Sequence, residues 1–148
     1  MLKFRSLTYL MFLILIASCS KEISQLEYGK DQCEHCKMIL TDKKYGAELF
    51  TQKGKSIKFD ATECMLEYLN ENKTYASEIE QYLVVNLTKP GELTDADDAA
   101  FLISPKLQSP MGEDISSFKN RSDADKYMNE FGGEIYTWDE LKKKFQNK

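Results

Sequence analysis

A short run, residues 33–38, concentrates the side chains of this chain that could do chemistry. It reads Cys-Glu-His-Cys-Lys-Met, so Cys33, Cys36 and Met38 bring three sulfur atoms together, and His35 is the only histidine among 148 residues. Thiolate and thioether sulfur are soft ligands that select Cu(I) over the hard cations. The run therefore predicts a site for a soft metal ion, with a redox-active disulfide as the main alternative.

Three interpretations other than copper binding apply to the Cys33/Cys36 pair. A structural zinc site needs four ligands, and to complete one the chain has Cys64 and His35, of which His35 lies inside the pair and is poorly placed. A thioredoxin-like redox pair is expected after a hydrophobic strand, whereas the residues before Cys33 are polar. A structural disulfide needs neither feature. All three stay open beside copper binding.

Two methionines favour the copper interpretation. Met38 follows Cys36 by two residues, so both sulfur atoms can reach one ion in an irregular loop. Thioether sulfur forms no disulfides, and one thiolate with thioethers around Cu(I) makes a site of no net charge. Met111 lies between Pro110 and Gly112 in a predicted exposed turn, where a methionine is an oxidation liability. Core filling is the other role of methionine, and it stays open for Met38.

Cys64 and Met65 lie in a predicted helix. Met65 shares an apolar stripe with Leu69 and is expected in the core. Cys64 is either a small core residue or a further sulfur within reach of the site. His35 is either an auxiliary ligand or a solvent-facing side chain.

The first 18 residues form a predicted bacterial signal peptide. Lys3 and Arg5 precede an apolar run, and small residues follow it before Cys19. Residues 15–19 (LIASC) resemble a lipobox, in which cleavage leaves the cysteine as a lipidated N-terminus; an ordinary secretory signal is the alternative. The run is shorter than the about 20 apolar residues of a spanning helix. We expect a lipid-anchored extracytoplasmic protein, with residues 19–31 as a polar tether.

The charge of the chain argues against nucleic acid as a partner. The formal net charge is −4, and without residues 1–18 it is near −6 because that segment has two basic residues and no acidic one. Phosphate binding depends on clustered basic residues, whereas a negative surface attracts a cation or a basic partner. After lipidation of Cys19, three cysteines remain: Cys33, Cys36 and Cys64. An odd number leaves at least one thiol free or metal-bound.

The order strand, strand, helix, strand occurs twice after the cysteine run. The first set has predicted strands at 45–51, 56–59 and 82–87, with a helix at 60–72 that Asp60 and Glu63 start as a capping box. An acidic linker at 92–98 follows. The second set has predicted strands at 99–104, 115–118 and 134–138, with a helix at 122–131 that Gly132 and Gly133 end, and a short basic helix follows to the C-terminus.

The predicted fold class is therefore α+β, with two small ββαβ modules in tandem after the lipidated tether. The modules lie at about residues 32–90 and 97–148 of a domain that spans 32–148.

These features together resemble the NosL family. They are the lipobox, the C-x-x-C-x-M-x-L run from Cys33 to Leu40, the hairpin ending in Phe59-Asp60 before Cys64-Met65, the Ser109-Pro110-Met111-Gly112 turn, and Phe118, Ala124 and Phe131-Gly132-Gly133 through Trp138. The similarity spans about residues 19–141. Many members of the family have glycine where this chain has Lys37.

The resemblance implies a copper-binding lipoprotein without catalytic activity and with a fold of two ββαβ modules. The Cu(I) ligands that it implies are Cys36, Met38 and Met111. The implied role is a copper chaperone for the copper-sulfide centre of nitrous oxide reductase, or for another extracytoplasmic copper protein. The implied location is periplasm-facing, with the lipid anchor in the cell membrane or the outer membrane.

The ligand status of the remaining candidates, Cys33, His35 and Cys64, stays open at this point. Two other functions also stay open. One is a thiol-disulfide oxidoreductase that acts through Cys33 and Cys36, and the other is a structural lipoprotein whose N-terminal part is held by a disulfide. Replacement of both Met38 and Met111 separates the first of these from copper binding, because redox activity does not need the thioethers.

Overall fold

A computed structural model describes residues 23–147, so the predicted signal peptide and the lipidation site at Cys19 lie outside the described residues. The elements in chain order are β1 (Ala47–Thr51), β2 (Ser56–Phe59), α1 (Thr62–Glu71), a 3-10 helix (Lys73–Glu78), β3 (Ile79–Val85), β4 (Leu93–Asp95), β5 (Ala100–Ile103), β6 (Ile115–Phe118), α2 (Arg121–Phe131), β7 (Glu134–Tyr136) and α3 (Trp138–Gln146). The order ββαβ occurs twice, which confirms the predicted α+β fold class. The residue boundaries of the two modules stay predictions.

Each set of strands forms its own antiparallel sheet. The first sheet has the order β2-β1-β3-β4 and the second has the order β6-β5-β7. In both, a hairpin is followed by a helix, and the next strand returns beside the first strand of the hairpin. All five residues of β1 are buried, because this strand has a neighbour on either side and helix α1 packs nearby.

One strand lies where the sequence predicted a linker. Residues 92–98 are acidic, yet Leu93–Asp95 pairs with β3, with Leu93 opposite Val85 and Asp95 opposite Leu83. Strand β3 would otherwise leave an edge of unpaired backbone groups, and β4 covers part of that edge. The linker prediction was wrong for these residues because composition alone does not show which strand has a free edge.

The start of α1 also differs from the prediction. The N-cap is Ala61, and it makes no side-chain capping hydrogen bond. Asp60 and Glu63 therefore do not form the expected capping box, because the Glu63 carboxylate is buried and accepts a hydrogen bond from Ser109 instead.

The C-terminal half of the predicted tether packs on the domain. Leu26 is buried in the core, and the Tyr28 hydroxyl donates to the carbonyl of Tyr45 over 2.8 Å. Asp31 accepts a hydrogen bond from Lys58 of β2 over 2.7 Å. These contacts hold the start of the cysteine run against the edge of the first sheet.

The hydrophobic interior forms two clusters that do not follow the module boundary. The larger cluster contains most of the buried apolar residues of the first module and takes in Phe101, Ile115 and helix α3 from the C-terminal part. The smaller cluster lies between β5, β6 and α2. The Trp138 indole is near Tyr82 of the first sheet and Phe101 of the second, with ring centroids 5.7 and 5.5 Å apart. Helix α3 therefore ties the two sheets together.

Within residues 23–147, no helix is both long enough and apolar enough to cross a membrane.

Candidate metal centre

The cysteine run folds as a tight turn whose ends are joined by backbone hydrogen bonds. Gln32 and Ile39 form an isolated antiparallel bridge, and the Cys33 N–H donates to the carbonyl of Met38 over 2.8 Å. The Lys37 N–H donates back to the carbonyl of Cys33 over 3.1 Å, and Lys37 has a φ of +62°. The turn thus returns the chain on itself within a few residues and fixes the direction of the Cys33 and Cys36 side chains.

The turn is also fixed to the domain. The Glu34 N–H donates to the carbonyl of Lys58 in β2 over 2.9 Å, and the Leu40 N–H donates to the carbonyl of Asp31 over 2.9 Å. Cys33 and Leu40 are both wholly buried in the larger core cluster. The turn therefore lies on the hairpin, next to the point where β2 leads into α1.

A third cysteine joins the pair from helix α1. Cys64 is in the first turn of that helix and is wholly buried, and the sulfur atoms of Cys33, Cys36 and Cys64 all lie within 4.8 Å of one another. All three are free thiols. Cys36 is the partly exposed member. Hereafter the three residues are called the thiol cluster.

Hydrogen bonds inside the thiol cluster separate the acidities of its members. The pKa of Cys33 is lowered to about 5, chiefly because the Cys64 thiol donates to its sulfur, with backbone N–H groups of Asp60 and Cys36 adding to the effect. Donating that bond raises the pKa of Cys64, and burial raises the pKa of Cys36. Thiol hydrogen bonds within the cluster therefore favour the ionised form of Cys33, which lowers its pKa.

The two predicted methionine ligands have different positions. Met38 is 46 % exposed at the outer side of the turn, beside the equally exposed Ile39. Met111 lies in the loop between β5 and β6 and is half-buried, not exposed as the sequence predicted, because it packs against the larger core cluster. That cluster contains Cys33 and Cys64, and Cys36 also packs against it. Met38 is therefore not a core residue, and core filling, the alternative role that the sequence left open for it, is excluded.

His35 is turned toward helix α1. Its Nε2 lies 3.0 Å from a carboxylate oxygen of Glu67, and its Nδ1 lies 3.5 Å from one of Glu71. Both ring nitrogens therefore face carboxylates. Among the described residues, the three cysteines are the histidine, cysteine or acidic side chains that lie close enough together to bind one metal ion. His35 does not belong to this group.

A buried hydrogen bond joins α1 to the loop of Met111. Glu63, the neighbour of Cys64, accepts a hydrogen bond from the Ser109 hydroxyl, and burial raises the pKa of Glu63 to about 7. One position earlier, the hydroxyls of Thr62 and Ser117 are 3.1 Å apart. The first turn of α1 therefore contacts the C-terminal part of the chain through two adjacent side chains.

Sequence reasoning gave Cys64 a secondary place, whereas the structure puts it in the thiol cluster. Its position in the sequence gives a signal that could have been used. A cysteine in the first turn of a helix that directly follows a strand lies near the end of that strand, and here the cysteine turn packs at the same end of β2. The contact of Glu63 with Ser109 had no signal in the sequence, since the two residues are 46 positions apart. What the cluster offers chemically is soft sulfur, which suits Cu(I) and zinc and not hard cations.

Known proteins resemble this chain in sequence profile and in fold. The NosL family profile matches residues 26–146. The crystal structure of the copper chaperone NosL from Shewanella denitrificans superposes with a TM-score of 0.69, at 22% sequence identity, over 81% of this chain and 95% of that chain. At that identity the likeness shows a common fold. Comparison with curated proteins finds no match.

Proposed function

The chain belongs to the NosL family, and from this premise we propose that it is a copper chaperone that carries Cu(I) on sulfur ligands and has no catalytic activity. Copper is the cargo of the site. The fold likeness to a protein described as a copper chaperone supports the proposal.

The observation that carries the proposal is the thiol cluster. Three sulfur atoms converge within 4.8 Å from two separate parts of the chain, and such a set selects soft ions. A structural zinc ion takes four ligands in a tetrahedron. The nearest imidazole, that of His35, faces Glu67 and Glu71. A three-sulfur set therefore suits Cu(I) better than zinc.

For the ligands we propose Cys36, Met38 and Met111, as the resemblance implies, with Cys33 and Cys64 as inner sulfur atoms behind Cys36. Charge supports a set of this kind. A buried site tolerates little net charge, and one thiolate with neutral thiols and thioethers balances the single charge of Cu(I).

The exposure of the site suits release as well as binding. Cys36 is partly exposed and Met38 is exposed, whereas Cys33 and Cys64 are buried. An acceptor protein can therefore approach from the side of Cys36 and Met38 and offer a new ligand while copper is still held from within. We propose transfer by this exchange of ligands.

The same geometry speaks against a thiol-disulfide oxidoreductase. Such an enzyme attacks its partner with an accessible cysteine of lowered pKa. Here Cys33 and Cys64 are wholly buried and Cys36 is only partly exposed, so the cluster presents no fully accessible thiol for such an attack.

For the biological setting we propose a lipoprotein that faces the periplasm and delivers copper to nitrous oxide reductase or to another extracytoplasmic copper protein. The lipobox-like residues 15–19 and the family resemblance support this setting. The lipid on Cys19 would tether the protein to the cell membrane or the outer membrane.

The proposal is tested by an anaerobic Cu(I) titration of residues 20–148 in competition with a chromogenic chelator. We expect tight binding of one Cu(I) per chain. Replacement Cys36→Ser or Met111→Leu should weaken binding by about tenfold or more, because a ligand is lost and each tenfold corresponds to roughly 1.4 kcal/mol.

The matched control is Met128→Leu, since Met128 packs half-buried on the smaller core cluster, away from the thiols. It should bind copper as the unchanged protein does. Weak or non-stoichiometric binding by the unchanged protein would refute the chaperone function. Equal losses in Met111→Leu and Met128→Leu would remove Met111 from the ligand set.

A further inference from the structure

A buried carboxylate lies between the thiol cluster and the methionine loop. Glu63 is the second residue of α1 and the direct neighbour of Cys64, and its side chain is wholly buried. One carboxylate oxygen accepts the hydrogen bond of Ser109, and the other has no hydrogen-bond partner within the part of the chain that is described. Burial of a carboxyl group with an unpaired oxygen is unfavourable, so a glutamate at this buried position suggests a specific role.

Ser109 organises the turn that carries Met111. Its hydroxyl oxygen accepts a hydrogen bond from the N–H of Asp114 over 2.9 Å, and its carbonyl accepts one from the N–H of Gly112 over 3.2 Å. Met111 lies inside this turn, which spans residues 109–114. Whatever holds the Ser109 hydroxyl therefore sets the position of the whole turn relative to α1.

A second buried glutamate shows what is particular about Glu63. Glu48 is also wholly buried and also bonds a serine with one oxygen, but its partner Ser56 is on the adjacent strand of the same hairpin. The partner of Glu63 is 46 positions away, on the loop that holds a proposed ligand. The hydrogen bond of Glu63 thus spans the distance between the two sources of sulfur.

We propose that Glu63 is a positioning residue of the copper site, which holds the 109–114 turn through Ser109 so that Met111 is presented toward the thiol cluster. For its effect on copper, this inference rests on the proposed function. Glu63 acts through Ser109 and is not itself a ligand.

Loss of this one hydrogen bond should not separate the two parts of the chain. The adjacent contact between Thr62 and Ser117 remains, and so does the hydrogen bond from the Tyr45 hydroxyl to the carbonyl of Gln108, over 2.9 Å. Variants at Glu63 are therefore expected to fold, with a turn that is less well fixed.

The first test measures hydrogen exchange at the Gly112 and Asp114 amides in the metal-free protein, comparing Glu63→Ala with Glu48→Ala. We expect faster exchange at these two amides in Glu63→Ala and unchanged exchange in Glu48→Ala. Because no copper is present, this result judges the positioning role even if the proposed function fails. Unchanged exchange in Glu63→Ala would overturn the proposal.

The second test measures Cu(I) affinity in a double-mutant cycle of Glu63→Ala and Met111→Leu. Residues that orient a ligand typically account for about 10–100-fold in metal affinity, so Glu63→Ala should lose affinity in that range. The double variant should lose no more than Met111→Leu alone, since both changes remove the same ligand. If the loss of affinity in the double variant equals the product of the two single losses, Glu63 does not act through Met111, and the proposal is overturned.

Glu63→Gln separates positioning from charge. Glutamine keeps an oxygen that accepts the Ser109 hydrogen bond, so copper affinity and amide exchange should stay near those of the unchanged protein. A loss in Glu63→Gln as large as in Glu63→Ala would mean that the negative charge itself matters, and would overturn the positioning role. Failure of the unchanged protein to bind Cu(I) would refute the proposed function and leave the exchange result as the judge of this inference.

Discussion

At the scale of single residues, Lys37 shows how the cysteine turn keeps its shape with an unusual side chain. Its φ of +62° lies in the left-handed region, which glycine adopts freely and other L-residues at a cost. Its ammonium group bonds the carbonyl of Glu34 and lies 3.3 Å from that residue's carboxylate. The backbone between Cys36 and Met38 thus has a glycine-like conformation despite the lysine.

Replacing Lys37 tests this strain. The left-handed conformation costs a non-glycine residue roughly 1–2 kcal/mol, and glycine removes this cost. Glycine also raises the entropy of the unfolded chain, which destabilises the folded protein by about 0.4–1 kcal/mol. Lys37→Gly should therefore raise the free energy of unfolding by up to about 1 kcal/mol, measured by urea denaturation of the metal-free protein. Lys44→Gly, at an exposed turn position without positive φ, is the control and should lower it. Equal destabilisation by both changes would contradict the strain argument.

Local spacing was sufficient to predict part of the thiol cluster. Cys33 and Cys36 could be identified because they lie within one run, whereas the ligand role of Met38 stays a prediction. The inclusion of Cys64 depends on how α1 follows β2, and the contact of Glu63 with Ser109 depends on packing between distant segments. The orientation of His35 toward α1 could not be predicted, because no sequence rule tells which face of a turn a side chain takes.

At the scale of elements, the end of α2 depends on two glycines with different roles. Gly132 is the C-cap, with φ of +73° and open space where a Cβ would stand. Gly133 has φ of +106°, and a Cβ there would overlap the carbonyl oxygen of Ile103. Glu134, the next residue, already pairs with Ile103 in the sheet. The absence of a side chain at Gly133 therefore lets β7 begin directly against β5.

Alanine at the two positions should separate conformation from close packing. Gly132→Ala forces alanine into a backbone conformation, φ of +73° with ψ of −171°, that is essentially open to glycine only, and should cost about 1–3 kcal/mol. Gly133→Ala adds the overlap with the backbone of β5 to a strained conformation and should cost about 3 kcal/mol or more. Guanidinium denaturation followed by circular dichroism measures both. The close-approach argument fails if the Gly133 variant is no less stable than the Gly132 variant.

Regular elements were predictable where a pattern repeats within a few residues. Strands β2 and β6 have the predicted bounds, 56–59 and 115–118, because short apolar or alternating runs there are bounded by turn residues. Strand β4 was missed because it lies in the acidic stretch 92–98 and its pairing partner is set by the free edge of β3. Long-range pairing of this kind has no local signal.

At the scale of the whole molecule, Trp138 packs against both sheets, so its fluorescence is sensitive to the folding of each. Its side chain is buried between Tyr82 of β3 and Phe101 of β5, and the Lys142 ammonium lies 5.4 Å from the centre of its ring. Its ring N–H is buried and has no hydrogen-bond partner among residues 23–147. It is also the only tryptophan of the chain. A core shared in this way predicts that the two modules unfold together.

Unfolding should therefore give one transition in which Trp138 fluorescence and far-ultraviolet circular dichroism coincide, as expected of a two-state domain. Trp138→Ala removes the shared ring and should lower the free energy of unfolding by about 3–5 kcal/mol. Trp138→Phe, the control, keeps an aromatic ring between the sheets and removes the unpaired N–H, so its loss should be clearly smaller. Separate fluorescence and dichroism midpoints in the unchanged protein would show that the modules unfold independently. If the modules unfold together, Cu(I) bound by the proposed ligands of both modules should raise the free energy of unfolding of the whole domain, because a ligand of the native state stabilises it by about 2.7 kcal/mol at a hundred times its Kd.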